Sequence, residues 1–240
     1  MRGLYVIVDL DSLALRGLDP AAFTSAVLAG RPCALQLRAK SATPEITLAW
    51  LRALEPLCAA AGVPLVANDR PDLAVIAGAD MVHVGQGDAS PALVRTLAPN
   101  LPFGVSTHTP EQLNDALRVM PAYIAFGPVW STSSKAAPDP VVGVDGLKQA
   151  ARLLRHHARE TGDAPPLVAI GGVTLDRITE IASVASAAAV ISDLLPPSDL
   201  QDDDAYEWVT VRARQYAAAF IDPLRLSAPS LPDVAQGRRP

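Results

Sequence analysis

Eight short runs rich in Val, Ile and Leu recur along the chain, separated by stretches of helical period, and this alternation constrains the fold more than any other feature. The runs fall at residues 4–9, 33–38, 64–67, 81–84, 103–106, 123–127, 167–170 and 188–192. Each is too short and too continuously apolar for an amphipathic helix, so they read as strands buried on both faces. Helical period occupies 21–28, 44–61, 71–76, 90–97, 110–118, 146–159 and 175–184, and proline opens several of these stretches, where its fixed φ suits the first helical turn. Strict alternation leaves a closed barrel or an open doubly wound sheet. The count of eight, and a length of 240 residues against about 250 for an eight-fold barrel, favour an α/β fold made of one (β/α)8 TIM barrel. Asp9-Leu10-Asp11-Ser12 follows the first run, where a dinucleotide-binding sheet would need a glycine-rich turn.

Half of the residues are hydrophobic but only 5% are aromatic, so the core must be filled mainly by Ala, Val, Leu and Ile. We expect the barrel to occupy residues 1–195. An acidic linker and C-terminal helix follow at 196–222, and a proline-rich tail at 223–240 is too poor in apolar residues to order itself. A net charge of −5 argues against a nucleic-acid surface. No apolar run reaches the roughly 18 residues of a membrane span, and no signal-length segment opens the chain. Cys33 and Cys58 lie in apolar sequence and read as buried small hydrophobes. These features point to the cytoplasm, to small-molecule substrates, and to no nucleic-acid or membrane partner; a homo-oligomer is compatible with them.

Barrel active sites are built from the loops at the C-terminal ends of the strands, and here most of those ends are polar. In Leu35-Gln36-Leu37-Arg38-Ala39-Lys40, a period of two sends Gln36, Arg38 and Lys40 to one face. Two cations at the mouth call for an anion such as phosphate, or for acidic partners in structural ion pairs. The third strand ends in Asn68-Asp69 and the fourth in His83-Val84-Gly85-Gln86-Gly87-Asp88. Neighbouring carboxylates near phosphate suit magnesium, although Asp69 also stands where it could cap a helix starting at Pro71. After the sixth strand, Ser131-Thr132-Ser133-Ser134-Lys135 offers hydroxyls and an ammonium to phosphate oxygens. Gly171-Gly172 after the seventh strand and Ile191-Ser192 after the eighth lie where barrels bind phosphate through backbone N–H groups. With Arg38, Lys40 and Lys135 positive, Asp69 and Asp88 negative, one magnesium ion and a pyrophosphate ester of about three negative charges, the formal charges nearly cancel. His83 reads as a packed core residue, and His108, near the mouth, as a conceivable acid/base.

In order and position, Gln36-x-Arg38-x-Lys40, Asn68-Asp69, His83-Val84-Gly85-Gln86-x-Asp88, Gly104-Val105-Ser106-Thr107-His108, Gly127-Pro128 through Lys135, and Ile170-Gly171-Gly172 resemble the thiamine phosphate synthase family over residues 4–195. The resemblance implies a magnesium-dependent transferase. It would condense 4-amino-2-methyl-5-hydroxymethylpyrimidine diphosphate with 4-methyl-5-(2-phosphoethyl)thiazole, or its carboxylated form, to give thiamine phosphate and pyrophosphate by a dissociative route. It implies that Gln36, Arg38, Lys40, Asn68, Ser106 and Lys135 hold the pyrimidine diphosphate, with Arg38, Ser106 and Lys135 catalytic. Asp69 and Asp88 would ligate magnesium, and Thr132, Ser134, Gly172, Ile191 and Ser192 would receive the thiazole phosphate. Asp193 departs from the small neutral residue usual in the family; it either repels the second phosphate or caps the next helix. Two alternatives remain: a thiazole tautomerase on the same barrel, using His108 as acid/base, and a barrel that binds phosphate ligands without catalysis. Retention of Asn68, Asp69 and Asp88 argues against the first, since an isomerase needs no pyrophosphate metal, and the complete set of charged site residues argues against the second.

Overall fold

The computed structural model describes residues 1–132 and 139–221. Strands β1 (Gly3–Asp9), β2 (Ala34–Arg38), β3 (Leu65–Asn68), β4 (Met81–Val84), β5 (Phe103–Thr107), β6 (Tyr123–Phe126), β7 (Leu167–Ile170) and β8 (Ala187–Val190) pair in parallel with their neighbours, and β8 returns to β1 to close the barrel. Around it run α1 (Leu10–Leu15), α2 (Pro20–Leu28), α3 (Pro44–Ala61), α4 (Pro71–Ala77), α5 (Pro91–Leu97), α6 (Pro110–Arg118), α7 (Gly143–Thr161), α8 (Ile178–Ala182) and α9 (Asp202–Ile221). A side-chain cap followed by proline starts four of them. Asp19, Thr43, Ser90 and Thr109 accept from backbone N–H groups at the openings of α2, α3, α5 and α6, satisfying donors that the first turn would leave orphaned.

The alternation along each strand divides the apolar residues into two cores. Leu4, Val6 and Val8 of β1 and Leu35 and Leu37 of β2 face outward into the layer shared with the helices. Tyr5, Ile7, Val66, Tyr123, Val168 and Ala189 fill the barrel interior. That interior is mostly small, and two tyrosines occupy the space. Gly104 sits beside Tyr123 in the β5–β6 register, and a Cβ there would lie 2.1 Å from the Tyr123 ring, so only glycine admits the phenol.

The structure differs from the sequence reading at the chain's last strand and beyond. β8 ends at Val190 rather than at 192, because Ile191 turns out of the sheet (φ −117°, ψ −80°) into a 3-10 turn at Ser192–Leu194. The stretch 175–184 is a 3-10 turn, Leu175–Arg177, running into the short α8. A helix not expected from sequence, α1, follows β1 directly, capped by Asp9 through Ser12 N–H at 2.9 Å. α9 packs against β1, α2 and α8, buries Val209, Ala213, Tyr216 and Phe220, and completes the ring of helices. Its acidic first turn, Asp202 to Asp204, meets the positive end of the helix dipole, which accounts for that patch. Among the described residues no helix is long and apolar enough to cross a membrane. The tail from residue 222 onward lies outside the described residues.

Candidate active site

A cavity of about 130 Å³ opens at the C-terminal ends of the strands. On its β2–β5 side stand Gln36, Arg38, Lys40, Asn68, Asp69 and Asp88, with Ser106 beside them. The period of two in β2 therefore does what the sequence implied: Leu35 and Leu37 pack outward while Gln36, Arg38 and Lys40 face the mouth. The cations there are not unpaired. Arg38 Nη1 makes an ion pair with Asp9, a residue only 4% exposed that the sequence reading left out. The signal for it was present, since Tyr5 and Ile7 point into the barrel and the same alternation carries Asp9 inward. Asp9 fixes the guanidinium and offsets its charge, so the near-cancellation inferred from sequence carries one further negative charge.

Lys40 Nζ makes an ion pair with Asp69 and lies 3.6 Å from Asp88 Oδ1. Asp69 does not cap α4; the residue at the cap is Arg70, and it makes no side-chain capping bond. Instead Asp69 takes a left-handed backbone (φ +64°), a conformation that aspartate tolerates better than most residues and that turns its carboxyl into the mouth. Burial, and then the hydrogen-bonded Asp88 beside it, push the Asp69 carboxyl up to about 6. Burial works against Asp88 as well, but its hydrogen bonds with Asp69 and Gly85 N–H and the charge of Lys40 outweigh it and lower its pKa. Two carboxyls held this close favour a shared proton or a cation between them.

That pair tests the magnesium expectation. Among the described residues no group of three or more His, Cys, Asp or Glu side chains could hold a metal ion. Two carboxylates beside an anion-facing wall nevertheless suit magnesium, which commonly takes one or two protein carboxylates and fills its octahedron with water and substrate phosphate. The donor set fits an ion that arrives with a diphosphate better than one held by protein alone.

His83 corrects its sequence reading. It is buried, 7% exposed, but it lines the cavity rather than merely filling the core. Its Nε2 lies 2.8 Å from Ser106 Oγ and its Nδ1 2.9 Å from Tyr123 Oη. His108 also lines the cavity; its Nδ1–H donates to the Gly127 carbonyl at 2.6 Å, and Nε2 lies 3.4 Å from Asp139 Oδ2. Thr132 stands at the edge of the cavity. Ser134 and Lys135 lie outside the described residues.

The β7–β8 side is built differently. Gly171 and Gly172 take left-handed backbones (φ +93° and +63°), and Cβ atoms there would lie 2.4 Å from Pro128 Cβ and 2.6 Å from the Ser131 carbonyl. Both conformation and space require glycine. Ile191 and Ser192 line the same side. Bracing comes from behind: Arg177 Nη1 donates to the Gly172 carbonyl at 2.7 Å while its guanidinium lies 4.9 Å from the centre of the Trp130 ring. Asp193 faces away from the cavity. Its Oδ2 accepts from Leu175 N–H at 3.1 Å, from Arg212 at 2.7 Å and from Tyr216 Oη. Neither alternative for Asp193 holds: it caps no following helix, and its carboxylate, paired with Arg212 and turned from the cavity, instead bonds the first residue of the 3-10 turn after β7 and ties the β8 loop to α9. Arg212 and Tyr216 were invisible to the sequence reading because α9 stood outside the resemblance.

A family model described as thiamine monophosphate synthase matches residues 4–194. A protein from Koribacter versatilis named thiamine-phosphate synthase is 39% identical over 199 residues, covering 80% of this chain and 88% of its own. One from Bordetella bronchiseptica with the same name is 40% identical over 200 residues, covering 81% and 85%. Among solved structures, thiamine phosphate pyrophosphorylase from Pyrococcus furiosus superposes with a TM-score of 0.73 at 24% identity, covering 91% of this chain and 96% of its own. The barrel, the mouth and a match across four-fifths of its length converge: the chain belongs to the thiamine monophosphate synthase family.

Proposed function

We propose that this chain is a transferase that makes thiamine phosphate, joining hydroxymethylpyrimidine diphosphate to the thiazole phosphate with release of pyrophosphate, and that it works in the cytoplasm. The observation that carries this reading is the cluster of Lys40, Asp69 and Asp88 beside Arg38 at one mouth. Such a cluster suits a diphosphate with a divalent cation; a single phosphate would need neither carboxylate.

In this reading Arg38, held by Asp9, and Lys40 aim positive charge at the diphosphate of the first substrate. As the C–O bond to that group breaks, negative charge grows on the leaving oxygens, and donors already in place stabilise it more than they stabilise the bound substrate. Magnesium bound through Asp69 and Asp88 would supply further neutralisation of that charge. Lys40, half exposed beside Asp69 and Asp88, would direct its ammonium at the same diphosphate. Gln36 and Asn68 orient the pyrimidine, and Ser106 faces the diphosphate from β5. The thiazole phosphate sits against the backbone of Gly171, Gly172 and Ser192 with Thr132 at the edge, which holds the thiazole nitrogen over the electron-poor methylene carbon. A strong protein nucleophile has no task in such a reaction.

The test is to mix the protein with both substrates, with and without magnesium, and assay for thiamine phosphate. Magnesium-dependent product is expected. No product, with isomerisation of a thiazole carboxylate phosphate in its place, would replace this reading by a tautomerase acting through His108.

A further inference from the structure

Beneath the cavity a buried chain of hydrogen bonds joins two residues that line it, Gln36 and Ser106. Gln36 Nε2 donates to Tyr5 Oη at 2.9 Å, and Tyr5 Oη lies 2.7 Å from Tyr123 Oη. Tyr123 Oη lies 2.9 Å from His83 Nδ1, and His83 Nε2 lies 2.8 Å from Ser106 Oγ. Both phenols are at most 2% exposed, and the Tyr123 and His83 rings stack with centroids 5.5 Å apart. Five strands contribute one member each, so the chain crosses the barrel from β2 to β5 through β1, β6 and β4.

The direction of each bond follows from counting protons. Burial raises both phenols well above their ordinary pKa, so each keeps its single O–H and can donate once. The Gln36 amide presents an N–H to Tyr5, so the Tyr5 proton must go to Tyr123. The Tyr123 proton then goes to His83 Nδ1, which makes Nδ1 an acceptor and places the ring proton on Nε2. Nε2–H donates to Ser106 Oγ, and the Ser106 proton is left to point elsewhere. A doubly protonated ring does not fit, because Tyr123 would then donate back to Tyr5 and the buried Tyr5 proton would lose its acceptor. Turning the Gln36 carbonyl toward Tyr5 would reverse every bond, so that Ser106 donates to His83 Nε2 and offers the cavity only an acceptor.

We propose that Gln36 acts through Tyr5, Tyr123 and His83 to make Ser106 a hydrogen-bond donor into the cavity. Tyr5, Tyr123 and His83 are positioning residues; Ser106 is the group that meets substrate. The inference rests on the reading that an anionic diphosphate ester occupies this mouth, where a donor hydroxyl stabilises developing negative charge and an acceptor would oppose it. It also makes the amide of Gln36 and the hydroxyl of Ser106 one unit, so the orientation of the first is felt at the second.

The experiment uses the full chain labelled with 15N-histidine and reads the His83 tautomer from its ring nitrogens at pH 8. The expected result in the wild type is a neutral ring protonated at Nε2. Gln36→Glu, whose carboxylate can only accept, is expected to move the proton to Nδ1, and adding Tyr5→Phe is expected to remove that response. Tyr123→Phe, which keeps the ring, is expected to lower kcat about tenfold with KM changed less than twofold, the equivalent of one lost hydrogen bond of about 1.4 kcal/mol. A wild-type ring protonated at Nδ1, or a tautomer indifferent to Gln36→Glu in a folded variant, overturns the proposal. Because the wild-type spectrum decides by itself, a misfolded variant leaves it testable. Failure of the wild type to form thiamine phosphate would remove the functional reading while leaving the tautomer result standing.

Discussion

The two sides of the barrel mouth handle anions by different means. On the β2–β5 side, charged side chains reach into the cavity and carry their own partners: Asp9 for Arg38, Asp69 and Asp88 for Lys40. On the β7–β8 side the polar groups near the cavity are glycine backbone and one serine, set among apolar residues such as Ile191, and the charged residues stand behind them, Arg177 on the Gly172 carbonyl and Arg212 on Asp193. A side chain can be aimed by a single strand. A backbone N–H can be aimed only by holding the whole loop, so the β7–β8 side depends on residues distant in sequence, including α9. The comparison teaches that one side should fail through chemistry when altered and the other through position.

Substitutions can break this contrast. The largest effect is expected from Asp69→Ala, which should lower kcat by on the order of a hundredfold or more with an unchanged circular dichroism spectrum, and Lys135→Ala should match it. A steady-state rate equal to wild type in Asp69→Ala would remove the β2–β5 assignment, and in Lys135→Ala the role of that lysine at the diphosphate. Next comes Gly172→Val: a branched side chain at φ +63° with a Cβ 2.6 Å from the Ser131 carbonyl should displace the loop, raising KM for the thiazole phosphate some tens of fold and costing about 1–3 kcal/mol in denaturant unfolding. Asp193→Asn keeps the size but loses the charge that Arg212 and Tyr216 hold. It should raise KM for the thiazole phosphate about tenfold, leave KM for the pyrimidine within twofold, and lower stability by about 1–3 kcal/mol. An equal rise in both KM values would show that the two sides are not separable. Arg177→Ala should be mildest, a few-fold in the same KM, with about 1 kcal/mol lost from the stack on Trp130.

Much of the β2–β5 side was legible in sequence because its information is local. Gln36, Arg38 and Lys40 are spaced two apart on a short apolar run, and a strand can send them only to one face. The eight-fold alternation likewise disclosed the barrel, since no strand had to be matched to a distant partner to be counted. What escaped were pairings between strands. Asp9 and Arg38 are 29 positions apart, and Tyr5 and Tyr123 are 118. Nothing in either local stretch announces the other. His83 was misread for the same reason: within Met81–Val84 it is one polar residue in an apolar run, and only the pairing of β4 with β5 brings it to Ser106. Asp193 was ambiguous until α9 docked, because its two partners lie 19 and 23 residues further on.

The account stands most directly on the division of the mouth, and calorimetric titration of the full chain tests it. Inorganic pyrophosphate should bind only with magnesium and should lose that binding in Asp69→Ala, while the thiazole phosphate should bind with or without magnesium and at unchanged affinity in the same variant. Pyrophosphate binding that ignores both magnesium and Asp69, or thiazole phosphate binding that falls with it, would contradict the account.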